Sequence, residues 1–326
     1  MKDKLQIAAI LREASSVALL SHASPDGDCV GSMLSIGLAL EKLGKKVTFY
    51  NPDPIPRNLT FLPGVERVRA LDQDMYEADA LLFLDCAEIE RMNLAVSDLK
   101  ADTCVINVDH HISNTGFGRW NWIEAQASAT GELMYALIRE LEAPLDEAIA
   151  TNLYAAIATD TGSFRFSNIT ARTHQIVAEL IPYIQVYEIN ERLFEQKPLA
   201  YTRLLQKALN SLEIVATDQE QIAFMTLSWQ DFLDCGAEES LSEGLVNYAR
   251  NIEGIEACAL LRETKNGEIK VGLRSNHWLD VNEVAAILHG GGHKRAAGCK
   301  LKLPLREARS CVESALRKVL WRGRIH

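Results

Sequence analysis

Short, nearly unbroken apolar runs alternate with longer amphipathic stretches along the first half of this chain, and several of the runs end on a polar residue. Val17–Ser21, Lys46–Tyr50, Ala80–Leu84 and Cys104–Val108 have the length and continuity of strands. Unbroken apolarity is what a strand buried on both faces of a parallel sheet requires. Around them a helical period predicts helices over 1–14, Cys29–Leu43, Ala129–Leu141, Asp146–Thr159 and Ala171–Ile184, with Gly44 closing the second. Asn51–Pro63 is rich in proline and predicts a loop. This alternation implies an α/β fold built on a doubly wound, mostly parallel sheet.

The pattern changes near residue 186. A polar, helix-prone stretch over 186–209 contains Pro198 and predicts a helical connector. Beyond it, Ile222–Leu227, Glu256–Arg262 and Glu268–Arg274 predict strands. The last two are joined through Lys265-Asn266-Gly267, a hairpin turn whose Asn-Gly pair accepts positive φ. A helix over Val281–His289, a glycine-rich turn, a strand near Cys299–Leu303 and a helix over Leu305–Leu320 complete a smaller α/β domain. The expected organisation is therefore a first domain over 1–185, the connector over 186–209 and a second domain over 210–326. A length of 326 residues suits two cores better than one.

Composition narrows the class. A hydrophobic content of 48% with 24% charged residues describes a soluble globular chain. A formal net charge of −10 argues against a protein that coats long nucleic acid or long duplexes. From Gly290 to His326, however, ten Lys/Arg face two Glu, enough to meet a small anion locally. A solvated helix face accounts for Arg306 through Arg324 more simply. The seven cysteines form no CxxC pair and point to a reducing compartment. The start of the chain is no signal peptide and no run approaches the ~20 apolar residues of a membrane span. A cytoplasmic, unanchored protein is the expectation. His174, His277, His289 and His326 read as ordinary helix, loop or terminal residues. For Trp120 and Trp122, core or interface packing outweighs base stacking.

Candidate chemistry sits where the strand-like runs stop. His22, Asp26 and Asp28 follow the first run, Asp85 closes Ala80–Leu84, Asp109-His110-His111 closes Cys104–Val108, and Asp160 ends a helical segment. In a parallel sheet the carboxyl ends of strands lie together and form the ligand crevice. Alternate residues of an extended segment point the same way, so Asp26 and Asp28 can serve one crevice, with Gly27 allowing a tight turn. Taken singly, an Asp after a strand is most often a turn or helix cap. Together they supply imidazole and carboxylate donors for two divalent ions, with Asp85 the candidate bridge. This donor set suits manganese, or magnesium or cobalt, better than a thiolate-type zinc site. Gly290-Gly291-Gly292-His293 alone could be a flexible turn. His293 and Arg295 beside bare amides favour a phosphate cradle instead, and the ending of a Walker A loop is absent.

These motifs, with Gly290-Gly291-Gly292-His293-Lys294-Arg295-Ala296-Ala297-Gly298, resemble those of the DHH phosphoesterase superfamily carrying the first type of DHH-associated domain, across essentially the whole chain. Within it, the size and the run Asp160-Thr161-Gly162-Ser163-Phe164-Arg165-Phe166-Ser167 are most similar to the NrnA-like branch of oligoribonucleases and phosphoadenosine-phosphate phosphatases. The resemblance implies one ion on His22, Asp26 and Asp85 and another on Asp28, Asp85, His110 and Asp160. It places His111 at the scissile phosphate, as charge stabiliser or as proton donor to the leaving oxygen, with Asp109 orienting the histidines. On the substrate side it implies Arg274, Ser275, Asn282, Gly291, Gly292, His293 and Arg295. The active site would then lie in an interdomain cleft.

The expected activity is two-metal hydrolysis of short oligoribonucleotides and 3'-phosphoadenosine 5'-phosphate to mononucleotides, with a homodimer plausible from the superfamily. A cyclic-dinucleotide or linear dinucleotide phosphodiesterase would use the same residues. The glycine loop argues against a manganese-dependent inorganic pyrophosphatase, which carries a Ser-Arg-Gln-type signature instead. Extra nucleic-acid-binding domains expected of a processive RecJ-type exonuclease are absent. The intact ligand set argues against a regulator with a dead site.

Overall fold

The computed structural model describes residues 2–99, 103–217 and 220–322. Arg324 and His326 of the basic C-terminal segment lie outside the described residues. Contacts divide the chain at Gln196/Lys197 into two compact units.

The first unit contains α1 (Lys2–Glu13), β1 (Ser16–Ser21), α2 (Gly27–Lys42), β2 (Lys46–Tyr50), β3 (Val68–Arg69), β4 (Ala80–Leu84), β5 (Cys104–Asp109), β6 (Trp120–Ile123), α3 (Thr130–Glu140), α4 (Glu147–Asp160), α5 (Ala171–Leu180) and α6 (Val186–Asn190). Its sheet has the order β3-β2-β1-β4-β5-β6, and every pair is parallel. The chain winds outward from β1 to β3, then returns to place β4 on the other side of β1. This reversal between β1 and β4 is the point at which parallel sheets open a ligand crevice.

Alternate residues of each strand divide between two cores. Val17, Leu19, Phe49, Leu82 and Ile106 pack against α2, α3 and α4. Ala18, Leu20, Tyr50, Leu81, Phe83 and Val105 face the opposite side. There, among the described residues, the cover consists of short 3₁₀ turns such as Gln73–Glu77 and Ile89–Met92. Neither 51–79 nor 85–99 carries a long helical period, so short turns are what these sequences can form. Two strands were not expected. β3 has only two residues, and β6 reads Trp-Asn-Trp-Ile, too short a run to announce itself. Trp122 is buried in the core, as packing predicted.

α2 and α4 cross at close range and run antiparallel. A Cβ on Gly31 would lie 2.4 Å from the Asn152 carbonyl oxygen, and one on Gly27 would lie 2.4 Å from Thr159 Oγ1. The start of α2 thus meets the end of α4.

The second unit contains α7 (Leu199–Asn210), β7 (Glu213–Ala216), β8 (Gln221–Leu227), α8 (Trp229–Cys235), α9 (Val246–Arg250), β9 (Ile255–Glu263), β10 (Ile269–Ser275), α10 (Val281–Ile287), β11 (Gly291–His293), β12 (Ala296–Leu301) and α11 (Leu305–Arg322). The sheet order is β11-β12-β10-β9-β8-β7, antiparallel except for the β8–β9 pair. α10 and α11 pack on one face, and α7, α8 and α9 on the other.

Two expectations are corrected here. The glycine-rich segment is not a free turn: Gly291–His293 forms β11 and pairs with Ala296–Gly298. Its partner strand accordingly begins at Ala296 instead of Cys299. The stretch over 186–209 spans the division between the two units. Ile189 and Leu193 join the first core, while Leu204 and Ala208 join the second. On α11 two of the basic residues are paired. Arg309 bonds to Glu313 and lies over the Phe224 ring, and Arg317 bonds to Glu313.

The α2–α4 crossing yields a stability test. Gly31→Ala forces a methyl onto backbone and is expected to cost about 2–3 kcal/mol. At about 2–4 °C per kcal/mol for a domain of this size, thermal melting should fall by about 5–10 °C. An unchanged melt would show that the helices can part freely.

Candidate metal centre

The carboxyl ends of β1, β4 and β5, with one end each of α2 and α4, deliver the donors. The loop leaving β1 carries His22 and Asp26, and the first turn of α2 carries Asp28. Asp26 Oδ1 caps α2 by accepting from the Asp28 and Cys29 amides, both at 3.1 Å. Asp85 follows β4 directly, with φ at +58. A left-handed backbone at a non-glycine residue stores strain, and such strain clusters at functional sites. His110 and His111 follow β5, and Asp160 is the last residue of α4.

Asp85 faces two ways. Its Oδ2 lies 3.4 Å from His22 Nε2, which is 3.9 Å from Asp26 Oδ1. Its Oδ1 lies 3.6 Å from His110 Nε2 and 3.5 Å from His111 Nδ1. His110 Nε2 is also 3.8 Å from Asp28 Oδ2 and 3.6 Å from Asp160 Oδ2. Donors about 2.1 Å from a common ion stand roughly 3–3.5 Å apart, so each side of Asp85 is close to that spacing. The structure brings together His22, Asp26, Asp28, Asp85, His110, His111 and Asp160.

The histidine tautomers suit this arrangement. Nδ1 of His22 donates to the Ala23 carbonyl at 2.8 Å, and Nδ1 of His110 to the Ala127 carbonyl at 3.2 Å. Each bond turns Nε2 toward the carboxylates, where it can act as a ligand once deprotonated. Nδ1 of His111 donates instead to Asp109 Oδ1 at 2.7 Å. Asp109 is fully buried, accepts from the His110 amide at 2.8 Å and from Asn114 Nδ2 at 2.6 Å, and so cannot rotate away.

Electrostatics explain why a cation belongs here. Burial, then the charges of Asp85, Asp160 and Asp26, push Asp28 well above the usual carboxylate range, although the Thr130 amide opposes them. Burial and the charges of Asp85 and Asp26 push Asp160 up to about 7. Burial favours a neutral Asp85 too, but the His22 hydrogen bond and the charges of His111, His22 and His110 hold it below the ordinary range. Burial lowers the basicity of His111, and the hydrogen bond to Asp109 together with the charges of Asp85 and Asp109 more than restores it. Crowded carboxylates beside free imidazole nitrogens fit borderline-hard divalent ions. Cys29 also reaches the His22–Asp26 group. Burial pushes its thiol up to about 11, so it is a protonated neighbour at neutral pH.

Sequence reasoning missed the groups that hold these donors. The α3 N-terminus donates Thr130 N–H to Asp28 Oδ2 at 2.7 Å and Gly131 N–H to Oδ1 at 2.9 Å. The Thr130 hydroxyl donates to Asp85 Oδ1 at 2.9 Å. The run Ala129-Thr130-Gly131-Glu132 shows a helix start, but only the fold aims that start at Asp28. The Arg91 guanidinium, 3.1 Å from His22 Nδ1, is a further cation at the site.

In the second unit, Gly291, Gly292 and His293 lie exposed along β11. Arg295 donates to the carbonyls of Leu279 and His277. Ser275 is buried and donates to the Leu279 carbonyl at 2.7 Å. Arg274 lies along β10, with Nη1 on the Leu273 carbonyl at 2.9 Å, and Asn282 follows the α10 cap residue Asp280.

Raised carboxylate pKa values set a pH signature. With Asp28 and Asp160 above their unfolded values, the ion-free fold binds more protons than the unfolded chain. Its stability therefore falls as pH rises from the ordinary carboxylate range towards 7. Bound cations replace those protons. Manganese should accordingly raise the melting temperature more at about pH 8 than at about pH 6, in melts run with manganese and with chelator. An equal rise at both would remove the proton-competition account.

Residues 16–157 match the DHH family, N-terminal domain, and residues 221–319 match the DHHA1 domain. The Thermus thermophilus protein named bifunctional oligoribonuclease and PAP phosphatase NrnA is 33% identical over 98% of this chain and 96% of its own. The Bacillus subtilis protein of the same name is 28% identical over 91% of this chain and 93% of its own. The crystal structure of an exopolyphosphatase-related protein from Bacteroides fragilis superposes with a TM-score of 0.91 at 27% identity, covering 97% of this chain and 96% of that one. A manganese-bound RecJ exonuclease, at 15% identity and a TM-score of 0.54 over 97% of this chain and 95% of that one, shares the fold. By its near full-length likeness to the Thermus thermophilus relative and its two matched domains, this chain belongs to the DHH family, whose members are phosphoesterases.

Proposed function

We propose that this protein hydrolyses short oligoribonucleotides and 3'-phosphoadenosine 5'-phosphate to mononucleotides, using two divalent ions. The observation that carries the reading is Asp85, whose two carboxylate oxygens face separate donor groups. His22 and Asp26 complete one group, and Asp28, His110 and Asp160 the other. The names of the relatives, oligoribonuclease and PAP phosphatase, supply the substrate class.

Two bound ions would neutralise phosphoryl oxygens and acidify the attacking water, with manganese best suited to these donors. The chain's own residues do the rest. His111, fixed through Nδ1 by Asp109, presents Nε2 either to a phosphoryl oxygen or to the leaving oxygen. Asp109 keeps the tautomer and favours the imidazolium that either role uses. We assign the first unit the chemistry and the second unit the recognition of substrate phosphate. Arg274, Ser275, Asn282, Gly291, Gly292, His293 and Arg295 are the groups proposed for that recognition. The exposed Gly291-Gly292 backbone allows close approach of a phosphate. Among the described residues no helix is long and apolar enough to cross a membrane.

The test offers manganese-loaded protein a panel of substrates: phosphoadenosine phosphate, RNA dimers to pentamers, a long RNA, pyrophosphate and cyclic di-AMP. Rapid turnover of the first two is expected. Pyrophosphate as the sole good substrate would overturn the reading. Asp85→Ala removes a donor from both groups and should lower kcat at least about a thousandfold on every substrate. Substantial residual turnover would exclude Asp85 as the shared donor.

A further inference from the structure

Besides Asp109, one buried carboxylate in the first unit belongs to neither donor group. Glu132, in the first turn of α3, is 0% exposed. Its Oε1 accepts from Ser128 Oγ at 2.6 Å and from Thr173 Oγ1 at 2.7 Å. Arg172 Nε stands 3.8 Å from Oε2. Burying a carboxylate is expensive, and well-packed apolar residues stabilise a core at least as well. Stability alone therefore does not explain Glu132.

Its partners suggest what does. Ser128 lies just before α3, whose first amides hold Asp28 and whose Thr130 hydroxyl bonds Asp85. Thr173 lies in the first turn of α5, beyond the segment that leaves Asp160. Asn168 joins the two sides directly: its Nδ2 donates to the Ser128 carbonyl at 2.9 Å and to the Asp160 carbonyl at 3.1 Å. The intervening backbone is strained, since Gly162, Ser163 and Phe164 all have φ between +56 and +61. A left-handed non-glycine residue is strained and persists only where its surroundings hold it. Relaxation of this turn would carry Asp160 with it.

We propose that Glu132 and Asn168 are positioning residues that set Asp160 relative to the start of α3, and with it the geometry of the Asp28–His110–Asp160 group. The inference rests on the reading of Asp28, Asp85 and Asp160 as ion ligands.

The test uses the full chain and reads the ions themselves. Manganese stoichiometry and affinity are measured by calorimetry, the spin-coupled pair by electron paramagnetic resonance, and kcat, KM and Tm alongside. In Asn168→Ala and Glu132→Leu, the weaker manganese should bind about 10–100-fold less tightly, as loss of supporting hydrogen bonds to a metal site does. The coupled signal should fade at limiting manganese, and kcat should fall with KM nearly unchanged. Glu132→Gln retains an acceptor for the two hydroxyls and should restore the coupled signal. If Glu132→Leu does not fold, Asn168→Ala and the near-isosteric Thr173→Val decide the matter. Manganese affinity and spin coupling unchanged in these variants, whatever the Tm, would overturn the inference. A wild-type protein that binds no manganese pair would instead overturn the ligand assignment, and this inference with it.

Discussion

Negative charge forced into one small buried space is the constraint from which the rest of the first unit follows. Asp28 and Asp85 are almost wholly buried, and Asp160 approaches the same histidine as both. Like charges at this range in a low-dielectric setting repel strongly. The fold answers with what it has. Helix α3 aims its first amides at Asp28, Thr130 bonds Asp85, and three imidazoles surround the cluster. These groups orient the carboxylates without fully neutralising them, as the raised values of Asp28 and Asp160 show. An arrangement left short of positive charge by its own protein is built to receive cations.

Much of the first unit is legible in sequence because parallel strands leave an unambiguous trace. Ala80–Leu84 is apolar at every position since α2-side and opposite-side cores each claim alternate residues. The polar residue that ends such a run marks the carboxyl edge of the sheet, so Asp85 and Asp109 could be picked out. What stayed hidden depends on tertiary contact. Nothing in the local sequence tells that Thr130 meets Asp85, 45 residues away, or that Asn168 ties Ser128 to Asp160. Asp26 was legible twice, as a helix cap and as a donor, and the geometry allows both at once.

The second unit was read less well for a different reason. Its sheet is mostly antiparallel, and pairing at its edges is decided by neighbours. Gly291–His293 has the composition of a turn, yet its backbone pairs with β12. A Cβ on Gly290 would lie 2.2 Å from the Gly298 carbonyl oxygen, so glycine is present for close approach as much as for freedom. Within 186–209 the polar surface of two helices concealed that each gives its few apolar residues to a different core.

The antiparallel crossing of α2 and α4 has an electrical consequence. At Gly27 and Thr159 the amino end of one helix touches the carboxyl end of the other. Helix ends carry partial charges of opposite sign, of order half an elementary charge. The site is therefore polarised across its width. The carboxyl end of α4, bearing Asp160, favours cations, and the amino end of α2 beside it favours an anion. One junction of two helices thus presents complementary fields to the cations and the phosphate of the proposed reaction.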